Sequence, residues 1–170
     1  MNLKDYIRDI PDFPQPGILF RDITPLLRDA GAFNYTVDQI AQQCQGRDID
    51  AIVAIESRGF LFGAPLACRM AKPFIPVRKQ GKLPGETVSV EYSLEYGSNV
   101  MEMHLEDVSS GDRVLILDDV LATGGTLAAA AQLVEKAGGK VSSIGLVIEL
   151  EALEGRKLLE GYDIFSLVQY

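Results

Sequence analysis

The stretch that decides the fold reads "VLILDDVLATGGTL", residues 114–127. Aliphatic residues run straight into two adjacent carboxylates, Asp118 and Asp119. A Thr123-Gly124-Gly125-Thr126 turn follows and opens into the alanine-rich run Leu127–Ala131. A strand apolar on both faces belongs at the centre of a parallel sheet covered by helices on both sides. In open α/β sheets, ligands bind beyond the carboxyl ends of the strands, and the spacing predicts the two aspartates at that end. The helix that follows offers unpaired backbone N–H groups and the positive end of its dipole. Gly124 and Gly125 allow close backbone approach, and Thr123 and Thr126 add hydroxyl donors, a combination suited to phosphate. Paired carboxylates repel phosphate but accept well from sugar hydroxyls. A phosphate pocket beside a diol acceptor describes a ribose 5-phosphate.

Outward from this motif, short apolar runs alternate with helical patterns. "AIVAI" (51–55), "PFIPV" (73–77), "RVLIL" (113–117), "VSSIGLVIEL" (141–150) and "YDIFSLV" (162–168) read as strands. Helices are expected over 32–45, after "ESRG" (56–59) and over 124–137, with Gly138-Gly139 ending the last. A weak helix is expected over 152–160 and a short one over Leu3–Arg8. Residues 87–108 alternate apolar and polar on both sides of Tyr96-Gly97-Ser98-Asn99, a β-hairpin pattern. Residues 11–25, "PDFPQPGILFRDITP", hold four of the eight prolines, which excludes a regular helix and predicts an extended, packed segment. The alternation implies an α/β fold with a central, mostly parallel sheet flanked by helices.

The chain has 170 residues, 47% hydrophobic and 24% charged, which suits one domain spanning 1–170. A formal net charge of −8 argues against general nucleic-acid or anionic-membrane binding, both of which need a basic face. No apolar run approaches the roughly 20 residues of a membrane span. The N-terminus has no signal-peptide core. Cys44 and Cys68 lack metal spacing and are expected in helices as small buried hydrophobes, with a reducing, cytoplasmic setting as the default. The nucleotide motifs G-x-x-x-x-G-K-[ST] and strand-linked G-x-G-x-x-G are absent. His104, the single histidine, falls on an alternating strand and receives no catalytic role.

"VLILDDVLATGGT" resembles the signature of the type I phosphoribosyltransferases. "FPQPGILFRDITPLL" (13–27), "ESRGFLFGAPLA" (56–67), "VRKQGKLPGETVSVEYSLEYG" (77–97) and "FSLVQY" (165–170) extend the resemblance over nearly the whole chain, toward members that act on adenine. The resemblance implies transfer of ribose 5-phosphate from phosphoribosyl diphosphate (PRPP) to adenine, giving AMP and diphosphate, in a homodimer. It implies Mg²⁺ held mainly by PRPP and water, with no dedicated protein metal site. Ala122, Thr123, Gly124, Gly125 and Thr126 would hold the 5-phosphate, and Asp118 and Asp119 the ribose hydroxyls. Ser57, Arg58 and Gly59 would form the diphosphate loop, with a non-proline cis peptide, and Arg58 would act on the reacting groups. Leu19 and Arg21 would bind adenine through backbone groups in an N-terminal hood (1–30), with Phe20 in its apolar surroundings. Arg78, Lys79 and Lys82 would contact diphosphate, some across the dimer interface. Glu95 and Tyr96 would sit over the reacting centre, Glu95 sharing a proton at N7, within a flexible loop and hairpin (78–105) that closes as a lid.

Two other readings compete. A hypoxanthine or guanine enzyme would choose its base through a different hood, which "PGILFRD" argues against. A PRPP-sensing repressor would carry an added DNA-binding domain, and only about 30 residues precede the first core helix.

Overall fold

The computed structural model describes residues 1–93 and 98–170. A 3₁₀ turn, Leu3–Tyr6, leads into a small antiparallel hairpin of β1 (Arg8–Pro11) and β2 (Leu19–Asp22). Helices α1 (Thr24–Arg28) and α2 (Ala30–Gln43) follow. Pro25 in the first turn of α1 occupies a position where a missing N–H costs nothing. Asp29 caps α2 by accepting from the Ala32 N–H at 2.8 Å. The main layer is then laid down as β3 (Ala51–Ile55), α3 (Arg58–Met70), β4 (Phe74–Lys79), β5 (Thr87–Ser93), β6 (Ser98–His104), β7 (Arg113–Leu121), α4 (Gly125–Lys136), β8 (Lys140–Glu149) and β9 (Ile164–Gln169).

The sheet order is β5-β6-β4-β3-β7-β8-β9. Strands β4, β3, β7, β8 and β9 are parallel, and the β5–β6 hairpin adds antiparallel to the β4 edge. Successive side chains on a strand point to opposite faces, and β7 feeds two cores accordingly. Val114 and Ile116 pack with Leu127, Ala130 and Leu133 of α4. Leu115 and Leu117 pack with Phe62 and Leu66 of α3 and with Val37 and Ile40 of α2. All five residues of β3 are buried, the expectation for a strand covered on both faces.

The mostly parallel α/β layer follows the sequence pattern, and six details differ. The short helix expected over Leu3–Arg8 is only the 3₁₀ turn Leu3–Tyr6, and Arg8 already opens β1. Strand β7 does not stop at Leu117. Its ladder with β3 ends at the Ala54–Leu117 pair, while β8 keeps pairing with it as far as Leu121. The proline-rich segment is a hairpin rather than a plain extended run, closed by Asp12 Oδ1 accepting from the Gly17 N–H at 2.8 Å, and its last two residues open α1. Ser98 and Asn99 belong to β6, opposite Ser93 and Tyr92, rather than to a turn. The weak helix over 152–160 is two 3₁₀ pieces, Glu151–Leu153 and Gly155–Leu159. Cys44 is buried as expected, but Cys68 is exposed. Gly63, Leu66 and Ala67 give the buried face of α3, and position 68 falls on its outer side. No helix among the described residues is long and apolar enough to cross a membrane.

Helix α3 rests on the sheet through Gly63. A Cβ added there would lie 2.6 Å from Ala54 Cβ and 3.0 Å from the Phe74 ring. Overpacking of this kind costs typically ~1–3 kcal/mol. Gly63→Leu is expected to lower unfolding free energy by about that amount or more, read from the urea midpoint; an unchanged midpoint would show that the helix shifts at no cost.

Candidate active site

Because β3 stops pairing while β7 continues, the sheet is notched at its carboxyl edge. A cleft of about 290 Å³ opens there. Ser57, Arg58, Lys79, Asp118, Asp119 and the whole of Ala122–Thr126 line it. Gly124 precedes α4 with φ +88°, a left-handed conformation natural to glycine. No side chain caps α4, so the N–H groups of its first turn remain available toward the cleft.

Asp119 is buried, 3% exposed, and its Oδ2 meets Arg58 Nε at 2.9 Å. Asp118 Oδ1 accepts from the Asp119 N–H at 2.8 Å. Burial, and then repulsion from Asp119, pushes the Asp118 carboxyl well above the usual carboxylate range. Burial also raises Asp119, against the attraction of Arg58. Arg58 stands at the first position of α3, which can approach β7 because the next residue has no side chain. A Cβ on Gly59 would lie 2.9 Å from the Leu117 carbonyl oxygen and 3.1 Å from Asp118 Oδ1.

The peptide between Glu56 and Ser57 is cis, at the place the resemblance implied. Glu56 organises the neighbouring basic cluster. Its Oε2 accepts from Arg78 Nε at 2.9 Å and the Lys79 N–H at 3.1 Å, and its Oε1 from Lys82 Nζ at 2.7 Å. Burial opposes ionisation of Glu56, but these bonds outweigh it and hold its pKa below the ordinary value. Arg78 and Lys82 are thus engaged by Glu56, whereas the Lys79 side chain is exposed and lines the cleft.

The hood residues lie outside the cleft lining. Leu19, Phe20 and Arg21 form β2 opposite Pro11, Ile10 and Asp9. Phe20 connects them to the site, with the Arg58 guanidinium 5.6 Å from its ring centroid and Phe13 edge-on at 5.1 Å. The Arg21 side chain pairs with Asp9 and lies 3.7 Å over the Tyr170 ring. Glu95 and Tyr96 lie outside the described residues.

Three contributors carried no role in the sequence reading. Glu56 stood there only as part of "ESRG". Tyr170 was only the end of a matching tail, yet its ring takes Arg21 on one side and Lys4 Nζ at 4.7 Å. Gly155, in what reads as a surface helix, packs directly behind Gly124. Composition and periodicity report none of these long-range contacts.

A notched parallel sheet, an uncapped helix terminus and buried carboxylates thus meet at one cleft. Residues 27–169 match the family described as "Phosphoribosyl transferase domain", and the chain belongs to that family. Its relatives carry a more particular name. The adenine phosphoribosyltransferase of Kosmotoga olearia is 55% identical over 170 residues, covering 100% of both chains. That of Thermoanaerobacter sp. is 58% identical over 168 residues, 99% of this chain and 97% of the relative. The crystal structure of the Thermoanaerobacter pseudethanolicus enzyme of that name superposes with a TM-score of 0.97 at 57% identity, covering 99% and 98% of the two chains. The Saccharomyces cerevisiae enzyme, crystallised with an imino-altritol bisphosphate and adenine, gives 0.92 at 41% identity over 97% and 96%.

The raised carboxyl pKa values have a stability consequence. Folding favours the protonated forms, so the stability they supply is complete below the unfolded carboxylate pKa, about 3.9, and is lost as pH rises through the folded values. Asp118→Asn keeps the oxygen that accepts from Asp119 and removes the charge. It is expected to raise the melting temperature at pH 8 by a few degrees, on the order of 1 kcal/mol, with the gain vanishing near pH 4. Calorimetry across that range checks it; a gain independent of pH would contradict the electrostatic origin.

Proposed function

We propose that the protein is an adenine phosphoribosyltransferase that moves the 5-phosphoribosyl group from PRPP to N9 of adenine, releasing diphosphate and AMP. One observation carries the reading: the uncapped start of α4 and the Asp118–Asp119 pair line a single cleft. The Kosmotoga and Thermoanaerobacter relatives, each sharing more than half of this sequence and both of that name, point the same way.

In this reading the backbone and hydroxyls of Ala122–Thr126 bind the 5-phosphate at the positive end of the helix dipole. Asp118 and Asp119 accept from the ribose hydroxyls. The Ser57–Gly59 loop and Lys79 receive the diphosphate, and Arg78 and Lys82 join when they leave Glu56. As the C1′–oxygen bond to diphosphate breaks and the C1′–N9 bond forms, positive charge develops on the ribose and negative charge on the leaving group. Cations fixed in advance around the diphosphate stabilise that separation. Adenine gives up its N9 proton to the departing diphosphate or to water, and the Glu95 carboxyl lends a proton at N7 and takes it back once the C1′–N9 bond is made, with Tyr96 assigned to the same reacting centre.

The base lies under the hood of residues 1–30, against the β2 backbone at Leu19 and Arg21 and near Phe20. Residues 78–105 act as the lid that excludes water. Mg²⁺ fits this donor set, since it keeps several waters and takes phosphate oxygens readily. In this reading PRPP oxygens and water would carry the ion, which would neutralise charge on the diphosphate. A homodimer and a cytoplasmic setting belong to the same reading, the latter supported by two free cysteines.

Incubation of the protein with PRPP, Mg²⁺ and, separately, adenine, hypoxanthine, guanine and orotate is expected to yield AMP from adenine alone. Nucleotide from another base would replace the specificity. PRPP binding with no turnover would turn the reading toward a sensor. Glu95→Ala is expected to reduce kcat by ~10²–10⁴-fold while PRPP binding changes little. Unaltered kcat would remove Glu95 from the chemistry.

A further inference from the structure

The 3₁₀ segment Gly155–Leu159 lines no part of the cleft, yet it touches the loop that forms it. Gly155 is buried and does not adopt a left-handed conformation, so its lack of a side chain answers to space rather than to backbone strain. A Cβ at 155 would overlap the Ala122 carbonyl oxygen, approach Leu121 Cδ1 to 2.7 Å and the Gly124 nitrogen to 3.1 Å. The reverse holds as well: a Cβ at Gly124 would come within 2.5 Å of the Gly155 carbonyl oxygen. Two glycines thus press backbone on backbone, one in the cleft wall and one behind it.

The rear partner is itself anchored on both sides. Arg156 clamps the buried Glu149 with both arms of its guanidinium, Nε to Oε1 at 2.5 Å and Nη2 to Oε2 at 2.7 Å. Ser166 Oγ adds a bond to Glu149 Oε2 at 2.7 Å, tying in β9. At the other end Leu159, 1% exposed, is buried in the same core as Leu121 and Leu127.

We propose that Gly155 is a positioning residue for the 122–126 loop, setting the direction of its N–H groups toward the 5-phosphate by direct backbone contact from behind, with the Arg156–Glu149 pair holding it in place. The inference rests on the phosphate-binding reading of that loop. Gly155 touches no substrate and acts only through Ala122 and Gly124. Displacement of a binding loop by an ångström costs on the order of 10²-fold when donors are preset for one geometry.

Steady-state kinetics on Gly155→Ala test it, with melting curves run on the same sample. The expected result is a rise in KM for PRPP of tenfold or more, with KM for adenine changed less than twofold. A folded Gly155→Ala with unchanged KM for PRPP overturns the proposal, as does an equal rise for both substrates. Should Gly155→Ala fail to fold, Arg156→Gln decides. It leaves the glycine contact sterically intact and loosens its anchor. A rise selective for PRPP supports the proposal, and an unselective or absent change overturns it. Thr123→Val separates this inference from the reading beneath it. If Thr123→Val weakens PRPP and Gly155→Ala does not, only the positioning role fails. If neither does, the loop is not the phosphate site and both readings fall.

Discussion

Everything at the site depends on one offset in the sheet. Strand β7 loses its partner β3 after Leu117 but keeps β8 through Leu121. The four residues 118–121 therefore keep a strand neighbour on one side only, and the cleft opens beyond the end of β3. A strand paired on both flanks to its end would fill the cleft with backbone. A strand ending at Leu117 would leave Asp118 and Asp119 on a loose turn. Half-pairing keeps the aspartates as rigid as sheet while one flank stays accessible. Glycines complete the geometry. Gly59 lets α3 approach β7, and Gly124 lets the next loop turn back on itself.

The electrostatics follow from that confinement. In a chain of net charge −8, the cleft gathers two carboxylates whose ionisation is opposed by burial, with Arg58 as the nearest counter-charge. A third carboxylate, Glu56, is kept ionised against its burial by the bonds it receives from Lys82, Arg78 and the Lys79 N–H. One acid thus gathers cations along the cleft while two others sit buried in its wall. Carboxyl groups pushed in opposite directions within one cleft are a feature that functional sites share.

The sheet, its order of elements and the 114–127 motif were legible because they are local. Apolar runs such as Ala51–Ile55 announce buried strands, and the Asp-Asp to Thr-Gly-Gly-Thr spacing places a helix start beside a strand end. The cis peptide at Glu56–Ser57 and the family came from resemblance, which the matches over residues 27–169 support. What the sequence hid is what only the tertiary fold creates. The strand's true end depends on its neighbour's length, not its own residues. The outward face of Cys68 depends on which side of α3 meets the sheet. Gly155 sits among surface-like Glu, Arg and Lys, so nothing in its neighbours signals backbone contact with a loop some thirty residues earlier. Glu56 gathers Arg78 from the end of β4 and Lys82 from the loop beyond it, a pairing with no short-range trace.

The contrast between the two cysteines gives the molecule a convenient chemical address. Burial pushes the Cys44 thiol up to about 11, so it holds almost no reactive thiolate at neutral pH. Cys68 stands in solvent on the outer side of α3, the same helix whose first residue is Arg58. Ten residues of helix separate them, roughly 15 Å at 1.5 Å per residue. A maleimide dye would therefore attach at one defined point on a rigid rod whose other end touches the cleft, giving an optical reporter of this molecule without any engineered cysteine.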